Sequence, residues 1–457
     1  MITTLKTENR KQKTIFSISL GCPKNLVDTE IMLGRLVQDG WEVVASPEAA
    51  AVLLVNTCAF IAPASQEAVD TVLDLARYKE EDPAKRMVVT GCLVQRYGEK
   101  LAGLLPEADL LVGVNDFPRL PEILGQGDDP GASRVFHGAP VYEYLAPQPR
   151  FAATPPHLAY LKIAEGCSHG CTFCTIPKIR GPYRSRPRAT LLAEARRLAA
   201  GGVKELILIA QDTTAYGRDG GGQPELTDLL RELCGIPGFL WLRLLYSHPA
   251  RITDKLLKTM AALPQVCPYL DLPIQHGHDE MLRRMGRGYS RRLVLDTVRR
   301  IRENLPHAAL RTSVMVGFPG EAEAHFDALL QLIAQVHFDH LGVFLYHPEA
   351  GTPAARFPSQ VPRRLARQRA RRLKALQAGI VKEKLKALLG SVQPVLVEGV
   401  SPESDYLLSG RLITQAPEID GQVYITAGEG RVGEVQPVRL TRALPYDLLG
   451  EIVGGGG

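Results

Sequence analysis

The chain carries the loop sequence Glu165-Gly166-Cys167-Ser168-His169-Gly170-Cys171-Thr172-Phe173-Cys174, directly after the apolar run Ala159–Ala164. Three thiolates can ligate three irons of a cubane iron–sulfur cluster, which leaves the fourth iron open to hold another molecule. A structural zinc site is the main alternative, but it would normally pair C-x-x-C with a second pair of ligands, and the sequence offers no such second knuckle. The loop therefore predicts a cluster with a catalytic role.

The region around this loop alternates strand-like and helix-like patterns six times. The predicted strands are Ala159–Ala164, Glu205–Ala210, Leu240–Leu245, Tyr269–Pro273, Leu310–Val316 and His340–Leu345. Six strand–helix units predict a partial (β/α)6 barrel, whose active site is expected at the carboxyl ends of the strands. The cysteine loop follows the first strand, and this position supports its catalytic interpretation.

A second α/β pattern lies nearer the N-terminus. Its predicted strands are Ile15–Leu20, Trp41–Ala45, Ala51–Val55, Met87–Thr90 and Leu110–Val114. Their alternation with amphipathic stretches predicts a doubly wound parallel α/β domain. Cys22, Cys58 and Cys92 each follow one of these strands, and such sheets bind ligands beyond the carboxyl ends of their strands. One buried cysteine at a strand end is ordinary packing, whereas three at equivalent positions favour a shared cluster site.

The sequence indicates three domains with one linker. Residues 14–125 form the first α/β domain, and residues 126–156, rich in Gly, Pro, Ala and Asp, are interpreted as a linker. Residues 157–390 form the partial barrel and end in a long helix, Pro362–Leu389. Residues 391–453 contain short β-runs separated by turn residues, which predict a small all-β, OB-like barrel.

Charge is divided sharply along the chain. Residues 361–390 contain ten Lys or Arg and a single acidic residue, Glu383, whereas the chain after residue 390 contains four Arg and nine Asp or Glu. A basic helix followed by an acidic module suggests two surfaces with different partners.

The composition is that of a soluble globular protein, with 45% hydrophobic and 23% charged residues among 457. No apolar stretch reaches the roughly 18 residues that span a bilayer, and residues 1–14 contain no apolar signal region. We therefore expect a cytoplasmic protein without a membrane partner, in which cysteines are metal ligands rather than disulfides. Cys234 and Cys267 match neither triad and are expected to be ordinary apolar packing.

The stretch from Ala164 to Gly181 resembles the radical S-adenosylmethionine enzymes and, within them, the methylthiotransferases. Three further motifs carry this resemblance: Gly21-Cys-Pro-Lys-Asn25, Asn56-Thr-Cys-Ala-Phe-Ile61 and Thr90-Gly-Cys-Leu93. It runs from Thr14 to about Val453, and its C-terminal module resembles a TRAM domain. It implies that Cys167, Cys171 and Cys174 ligate the 4Fe-4S cluster that binds S-adenosylmethionine. It also implies that Cys22, Cys58 and Cys92 hold an auxiliary 4Fe-4S cluster, which carries the sulfur to be delivered.

Two branches of this family compete: one modifies an aspartate of small-subunit ribosomal protein twelve, and the other modifies adenosine in transfer RNA. The stretches Gly21–Asp28, Ile209–Thr214, Tyr269–His276 and Gln415–Gly421 resemble the first branch. This resemblance to the first branch implies methylthio transfer to the aspartate β-carbon, with S-adenosylmethionine as both methyl donor and radical source. The implied partners are the ribosomal protein, alone or within the small subunit, and an electron donor such as flavodoxin or ferredoxin.

The acidic C-terminal module is an independent indication of the first branch, because a module that grips RNA phosphates should be basic. A surface made acidic for solubility alone is the alternative interpretation. A more distant alternative for the whole chain is a non-catalytic, zinc-stabilised protein that binds ribosomes.

Other residues at predicted strand ends are candidate cofactor contacts. Gln211 and Asp212 follow the second barrel strand, where the superfamily commonly binds the methionine amino group, although the match to its usual Gly-Gly-Glu is poor. Gln275 follows the fourth strand and would line the pocket. Gly317 follows the fifth, where it would allow a close approach of the adenosyl part or simply a tight turn. Phe173 would shield the cluster or flank a bound nucleoside. No catalytic residue beyond the clusters is predicted.

Overall fold

The computed structural model of the chain describes residues 13–126, 133–142, 144–220, 225–401 and 403–454. They form two compact units. The first unit comprises the described residues up to 142 together with Gln148–Ala153 and Lys178–Gly181, and the second comprises the rest. No helix among these residues combines the length and the apolar character needed to cross a membrane.

The first unit is built on a six-stranded parallel sheet in the order β2-β1-β3-β4-β5-β6. Its elements are β1 (Thr14–Ser19), α1 (Pro23–Gln38), β2 (Glu42–Val43), β3 (Val52–Thr57), α2 (Ala62–Glu81), β4 (Arg86–Gly91), α3 (Cys92–Tyr97), α4 (Glu99–Leu104), β5 (Leu110–Val112), α5 (Leu120–Gly125) and β6 (Val135–Phe136). β3 is buried along its full length, as expected for a parallel sheet covered on both faces. The predicted doubly wound α/β domain is confirmed.

β6 lies within the segment 126–156, whose composition predicted no secondary structure. It pairs in parallel with β5, and the neighbouring Arg134 donates from Nε to the carbonyl oxygen of Ala108 at 2.7 Å. A two-residue strand is too short to leave a periodic pattern, so the Gly- and Pro-rich composition around it dominated the sequence interpretation. β6 forms the edge of the sheet in the first unit.

The second unit begins with six parallel strands arranged in two sheets, β11-β10-β7 and β12-β13-β14. Its elements are β7 (Leu158–Lys162), β8 (Ala164–Glu165), α6 (Ile176–Arg180, whose last three residues belong to the first unit), β9 (Arg184–Ser185), α7 (Arg188–Ala200), β10 (Glu205–Ile209), α8 (Leu226–Cys234), β11 (Trp241–Leu244), α9 (Asp254–Ala262), β12 (Tyr269–Asp271), α10 (Asp279–Arg284), α11 (Arg291–Asn304), β13 (Ala309–Val316), α12 (Glu323–Val336) and β14 (His340–Leu345). The predicted partial barrel is confirmed. Cys267 is fully buried and Cys234 packs against the barrel core, as expected for apolar packing.

The second unit continues with the predicted long helix, α13 (Arg363–Ala387), and a small closed barrel in the order β15-β16-β17-β19-β18. The barrel strands are β15 (Val392–Ser401), β16 (Ser404–Leu412), β17 (Val423–Ala427), β18 (Val435–Ala443) and β19 (Leu448–Ile452). The predicted all-β module is confirmed, although β19 was not predicted. Gly450 in β19 allows close packing against β18, because a Cβ there would lie 2.5 Å from Cγ1 of Val438.

A buried charge network joins the small barrel to the amino ends of the central strands. Glu205, the first residue of β10, is fully buried and accepts hydrogen bonds from Arg243 of β11, at 2.6 Å, and from Arg411 of β16. Burial opposes ionisation, but the two guanidinium groups hold the pKa of the Glu205 carboxyl below its usual value. Nearby, the carboxylate of Asp420 accepts a hydrogen bond from the hydroxyl of Tyr269, at 2.7 Å. The network therefore fixes the small barrel to the central strands.

Replacing Glu205 with Gln should destabilise the second unit by about 3–5 kcal/mol, because two buried guanidinium groups lose their shared counter-charge. The carboxyl has a lowered pKa in the folded state, so its stabilisation is present above its ordinary pKa of 4.5 and is lost as the pH falls through the lowered value. Urea unfolding followed by circular dichroism measures the difference, which should shrink in acid. The control is Glu303→Gln, which removes the exposed pair with Arg299 and should change stability by less than about 1 kcal/mol. Equal effects of the two substitutions would contradict the role of Glu205 as the shared counter-charge of the two guanidinium groups.

Candidate functional sites

Three cysteines meet at the carboxyl edge of the sheet in the first unit. Cys22 follows β1, Cys58 follows β3, and Cys92 begins α3 directly after β4. β3 lies between β1 and β4 in the sheet, so the three cysteines stand at the ends of adjacent parallel strands. This edge is where open α/β sheets bind ligands. The structure thus brings together the three cysteines that the sequence predicted would share one crevice.

Two glycines shape this edge. Gly21 and Gly91 each precede a cysteine and have φ angles of +93° and +97°, in the left-handed region that favours glycine. A Cβ at Gly21 would lie 2.6 Å from Cβ and 3.0 Å from Sγ of Cys58. The close approach of these backbones places Cys22 beside Cys58.

A buried arginine lies among these thiols. Arg180 donates from Nη2 to Sγ of Cys92 at 3.3 Å. Its guanidinium is held by Asp28, with Nη1 to Oδ2 at 2.6 Å, and by Asn25, with Nη2 to Oδ1 at 2.9 Å. Ionised thiolates in one buried site repel each other, and a fixed guanidinium offsets part of that charge. The sequence analysis quoted Arg180 only within a motif, since nothing local couples it to a cysteine 88 positions away.

Two of these thiols, those of Cys22 and Cys58, differ in how readily they ionise. Cys22 is the N-cap of α1. Although burial raises its pKa, Lys24, Arg180 and backbone N–H groups at the helix start bring that pKa below the ordinary value of 9.0. Burial, reinforced by Cys92 and Cys22, raises the pKa of Cys58 to about 11. Cys22 is therefore the more easily ionised of the two.

The second triad lies in one loop of the second unit, after β8. Sγ of Cys171 accepts a hydrogen bond from Nη1 of Arg287 at 3.2 Å, and Sγ of Cys174 accepts one from the backbone N–H of Ile176 at 3.4 Å. Thr172 fastens the loop to the end of α10 through its backbone N–H and its hydroxyl. Burial raises the pKa of Cys174 to about 12.

Arg287, like Arg180, is held in place by neighbouring oxygen atoms. It donates from Nε to the hydroxyl of Tyr289 at 3.0 Å and from Nη2 to the carbonyl oxygen of Pro273 at 3.2 Å. Each triad therefore has one arginine, the buried Arg180 or the half-buried Arg287, that donates to one of its sulfurs. Hydrogen bonds to ligating sulfurs are among the features that set the potential of an iron–sulfur cluster.

Gln211 has a feature that fits an incoming cofactor. It follows β10, and its Nε2 donates to Oε1 of Glu165 at 2.9 Å. Oε1 of Gln211 is buried and has no hydrogen-bond partner among the described residues. An unpaired buried acceptor is costly unless a ligand supplies a donor, and an ammonium group is such a donor. This atom fits the amino group of S-adenosylmethionine at the position that the sequence predicted.

Asp212, the next residue, orients the cysteine loop. Its carboxylate accepts hydrogen bonds from Nε2 of His169 at 2.8 Å, from the hydroxyl of Thr214 and from Arg251. Burial opposes its ionisation, but these donors hold the pKa of Asp212 below its usual value. His169 also stacks on His248, with ring centroids 4.4 Å apart. Because protein donors occupy both carboxylate oxygens, a direct cofactor contact of Asp212 stays a prediction.

Phe173 and Gln275 lie where cofactor contacts were predicted. Phe173 is buried in an apolar cluster with Met281 and Met285, and two of the loop cysteines pack against that cluster. Gln275 follows β12 with a φ angle of +64°, and its backbone bridges to β13. The apolar cluster walls one side of the loop, which agrees with a shielding role of Phe173.

Gly317 begins a tight turn after β13. Its backbone N–H and that of Phe318 both donate to the carboxylate of Glu321. A Cβ at Gly317 would lie 2.5 Å from Cβ of Ala366 in α13. Glycine is required there by a turn and by helix packing, which was one of the two interpretations left open; its contact with the adenosyl part stays a prediction.

A further group of potential metal ligands, His278, Glu280 and His325, is organised by hydrogen bonds instead. Nδ1 of His278 accepts from the backbone N–H of Glu280, and Nδ1 of His325 accepts from that of Ala322. A neutral imidazole that accepts at Nδ1 carries its proton on Nε2. In His325 this Nε2 lies 3.3 Å from Oε2 of Glu280. The group therefore fits a hydrogen-bonded cap of two helices better than a metal site.

Three family models match the chain. Residues 14–113 match the model described as uncharacterized protein family UPF0004, residues 161–333 match the radical SAM superfamily, and residues 389–453 match the TRAM domain.

Curated relatives match the chain over almost its full length. The ribosomal protein uS12 methylthiotransferase RimO of Geobacter sulfurreducens is 48% identical over 445 residues, which cover 97% of this chain and 99% of that protein. The protein of the same name from Citrifermentans bemidjiense is also 48% identical, over 98% of this chain and 100% of its own.

Solved structures show a similar fold at low identity. The radical S-adenosylmethionine methyltransferase TsrM from Kitasatospora setae, solved with cobalamin and a 4Fe-4S cluster, has a TM-score of 0.56 at 16% identity, covering 75% of this chain and 77% of its own. The cobalamin-dependent S-adenosylmethionine radical enzyme OxsB has a TM-score of 0.53 at 12% identity, covering 82% of this chain and 56% of its own. At these identities the likeness concerns the fold alone.

In protein freed of bound metal, Cys22 should react with iodoacetamide at about pH 8 at least about tenfold faster than Cys58, because only the thiolate is nucleophilic and the pKa of Cys22 is much lower. Peptide mass mapping over time measures both rates. Arg180→Gln should slow Cys22 by removing one of its nearby cations, and Arg77→Gln on the exposed face of α2 is the control. Equal rates at the two cysteines would refute this ordering.

Proposed function

The chain belongs to the family of ribosomal protein uS12 methylthiotransferases, and we propose that it transfers a methylthio group to the β-carbon of an aspartate in ribosomal protein uS12 of the small subunit. The observation that carries the proposal is the pair of cysteine triads, each with an arginine that donates to one of its sulfurs, in a chain that its relatives match almost from end to end. The radical SAM match over residues 161–333 supports S-adenosylmethionine and an iron–sulfur cluster as cofactors.

We assign one 4Fe-4S cluster to each triad. Cys167, Cys171 and Cys174 would ligate the cluster that binds S-adenosylmethionine, and Cys22, Cys58 and Cys92 would ligate the auxiliary cluster. Three thiolates leave one iron of each cluster without a protein ligand. When bound, these groups supply a carbon-centred radical and the methylated sulfur that no acid–base side chain could provide.

The residues of the chain hold and orient these groups. Oε1 of Gln211 would accept a hydrogen bond from the amino group of S-adenosylmethionine. Asp212, acting through His169, and Thr172 keep the cysteine loop in one conformation. Phe173, with its apolar cluster, would exclude water from one side of the loop, which protects reactive species from side reactions.

The charge of the small barrel supports a protein substrate. Its acidic side chains Glu403, Glu429, Glu434 and Glu451 are exposed, and the module is net acidic. An acidic surface attracts a basic ribosomal protein and repels RNA phosphates. We further propose that the enzyme works in the cytoplasm, with a flavodoxin or ferredoxin as electron donor.

Replacing the three loop cysteines Cys167, Cys171 and Cys174 with Ala should lower the iron content of anaerobically reconstituted protein from about eight to about four per chain. Formation of 5′-deoxyadenosine should cease, because the cluster that contacts S-adenosylmethionine is gone. Replacing Cys22, Cys58 and Cys92 should also leave about four irons but preserve 5′-deoxyadenosine formation while abolishing methylthiolation. Cys234→Ala is the matched control and should retain all the iron. The two-cluster assignment is wrong if all iron depends on the loop.

The substrate is tested by offering a uS12-derived peptide that contains the target aspartate, and separately transfer RNA, to the reconstituted enzyme. Mass spectrometry should show one methylthio group in place of one hydrogen on the peptide and no change in the RNA. A peptide in which Asn replaces the aspartate is the control. Modification of transfer RNA but not of the peptide would instead assign to the chain the function of the other branch of the family, which modifies adenosine in transfer RNA.

A further inference from the structure

One side of α13 carries a row of cations for which the described part of the chain provides no carboxylate partner. The members of this row, called here the α13 cation row, are Arg363, Arg364, Arg367, Arg371, Lys374, Lys382 and Lys386, and all are exposed. Among the residues that the structure describes, none of them lies within ion-pair distance of an Asp or Glu. At a rise of 1.5 Å per residue the row extends over about 35 Å.

The other cations of the same helix are paired. Arg369 lies 3.4 Å from Glu321, Arg372 forms an ion pair with Glu323, and Lys384 lies 2.6 Å from Oδ1 of Asp339. Neutralisation is thus confined to the positions that face the rest of the second unit. The outer row remains a stretch of positive charge, interrupted between Lys374 and Lys382 and flanked there by Glu383, although like charges three or four positions apart destabilise a helix.

Helix α11 shows what an ordinary arginine-rich surface looks like in this protein. Arg292 pairs with Asp296 at 3.8 Å, and Arg299 pairs with Glu303 at 2.7 Å. Arg300 pairs with Asp254 at 2.9 Å. A high arginine content is therefore not distinctive by itself, whereas the lack of ion-pair partners for the α13 cation row, among the described residues, is distinctive.

A polyanion of regular spacing is the partner that this row fits. Four of its seven cations are arginines, whose planar guanidinium groups bind phosphate through two hydrogen bonds. A membrane surface fits less well, because a helix at such a surface buries an apolar face in lipid. The apolar side of α13, with Ala366, Leu373 and Ile380, is already buried in the second unit.

We propose that the α13 cation row binds the phosphates of ribosomal RNA, so that the enzyme recognises its protein substrate within an RNA-containing assembly. The identity of that assembly rests on the proposed function, whereas RNA binding rests on the row alone. The acidic small barrel and the basic row would then contact the two components of one ribonucleoprotein, since ribosomal proteins are basic and RNA is acidic.

The test compares two variants that lose the same amount of positive charge. The row variant combines Arg363→Gln, Arg367→Gln, Arg371→Gln and Lys374→Gln. The control combines Arg292→Gln, Arg299→Gln, Lys255→Gln and Lys258→Gln, which are exposed positions on α11 and α9. The probe is a transcript of small-subunit ribosomal RNA, with binding measured over a series of salt concentrations. Circular dichroism confirms that both variants fold like the unaltered protein.

The row variant should bind the RNA at least about tenfold more weakly at 0.15 M salt, and the slope of log K against log salt should fall by about 3, because four phosphate contacts are lost. The control should bind within about twofold of the unaltered protein. Equal weakening in both variants would show that only net charge matters and would overturn the proposal. Tighter binding to vesicles of phosphatidylcholine and phosphatidylserine than to RNA would overturn it as well.

Turnover separates this proposal from the proposed function. The row variant should methylthiolate a uS12 peptide at the unaltered rate but isolated small ribosomal subunits at least about tenfold more slowly, because only the subunits contain RNA phosphates. Equal turnover of small ribosomal subunits by the row variant and the unaltered protein would refute the role of the α13 cation row. If neither enzyme modifies any uS12 substrate while the RNA binding differs as expected, the proposed function fails and the RNA-binding surface stands.

Discussion

Buried thiolates are the central physical constraint on this protein. A cysteine must lose its proton to ligate iron, yet burial opposes that ionisation and raises the pKa of Cys58 to about 11 and that of Cys174 to about 12. Each triad meets this constraint with a fixed cation, Arg180 at Cys92 and Arg287 at Cys171. The positive-φ glycines and the adjacent strand ends of the first unit serve the same purpose, because they hold sulfur and cation in one small volume.

Much of this arrangement could be predicted from the sequence because it leaves local signals. Apolar runs that alternate with amphipathic stretches mark parallel sheets, and a parallel sheet places all its carboxyl strand ends at one edge. Cys22 and Cys58 are 36 positions apart in sequence, yet this rule alone predicted that they lie close together in space. The grouping of the loop cysteines was simpler to predict, since their close spacing in the sequence by itself indicates a shared cluster.

The features that were missed depend on three-dimensional neighbours. Arg287 is 116 positions from the cysteine that it contacts, and no pattern in a single sequence links the two. β6 was missed because a strand of two residues leaves no periodic pattern, and β19 was missed because Gly450 interrupts the pattern of its five residues. Gly317 was ambiguous because glycine permits both a turn and a ligand approach, and its packing against Ala366, which also requires glycine, leaves no signal in the sequence. The pairing of Asp212 with His169 was missed because the two residues lie 43 positions apart, and no local pattern links them.

The attachment of the small barrel has a geometric consequence for molecular recognition. Its arginine, Arg411, reaches Glu205 at the amino end of β10, whereas Gln211 and the cysteine loop stand at the opposite end of the same strand. Six residues of extended chain separate the two ends by about 20 Å. A partner bound by the small barrel is therefore held far from the cysteine loop. The buried charge network keeps this distance fixed. A fixed distance between the small barrel and the cysteine loop lets the enzyme select partners by their size and shape, as well as by the few residues around the modified side chain.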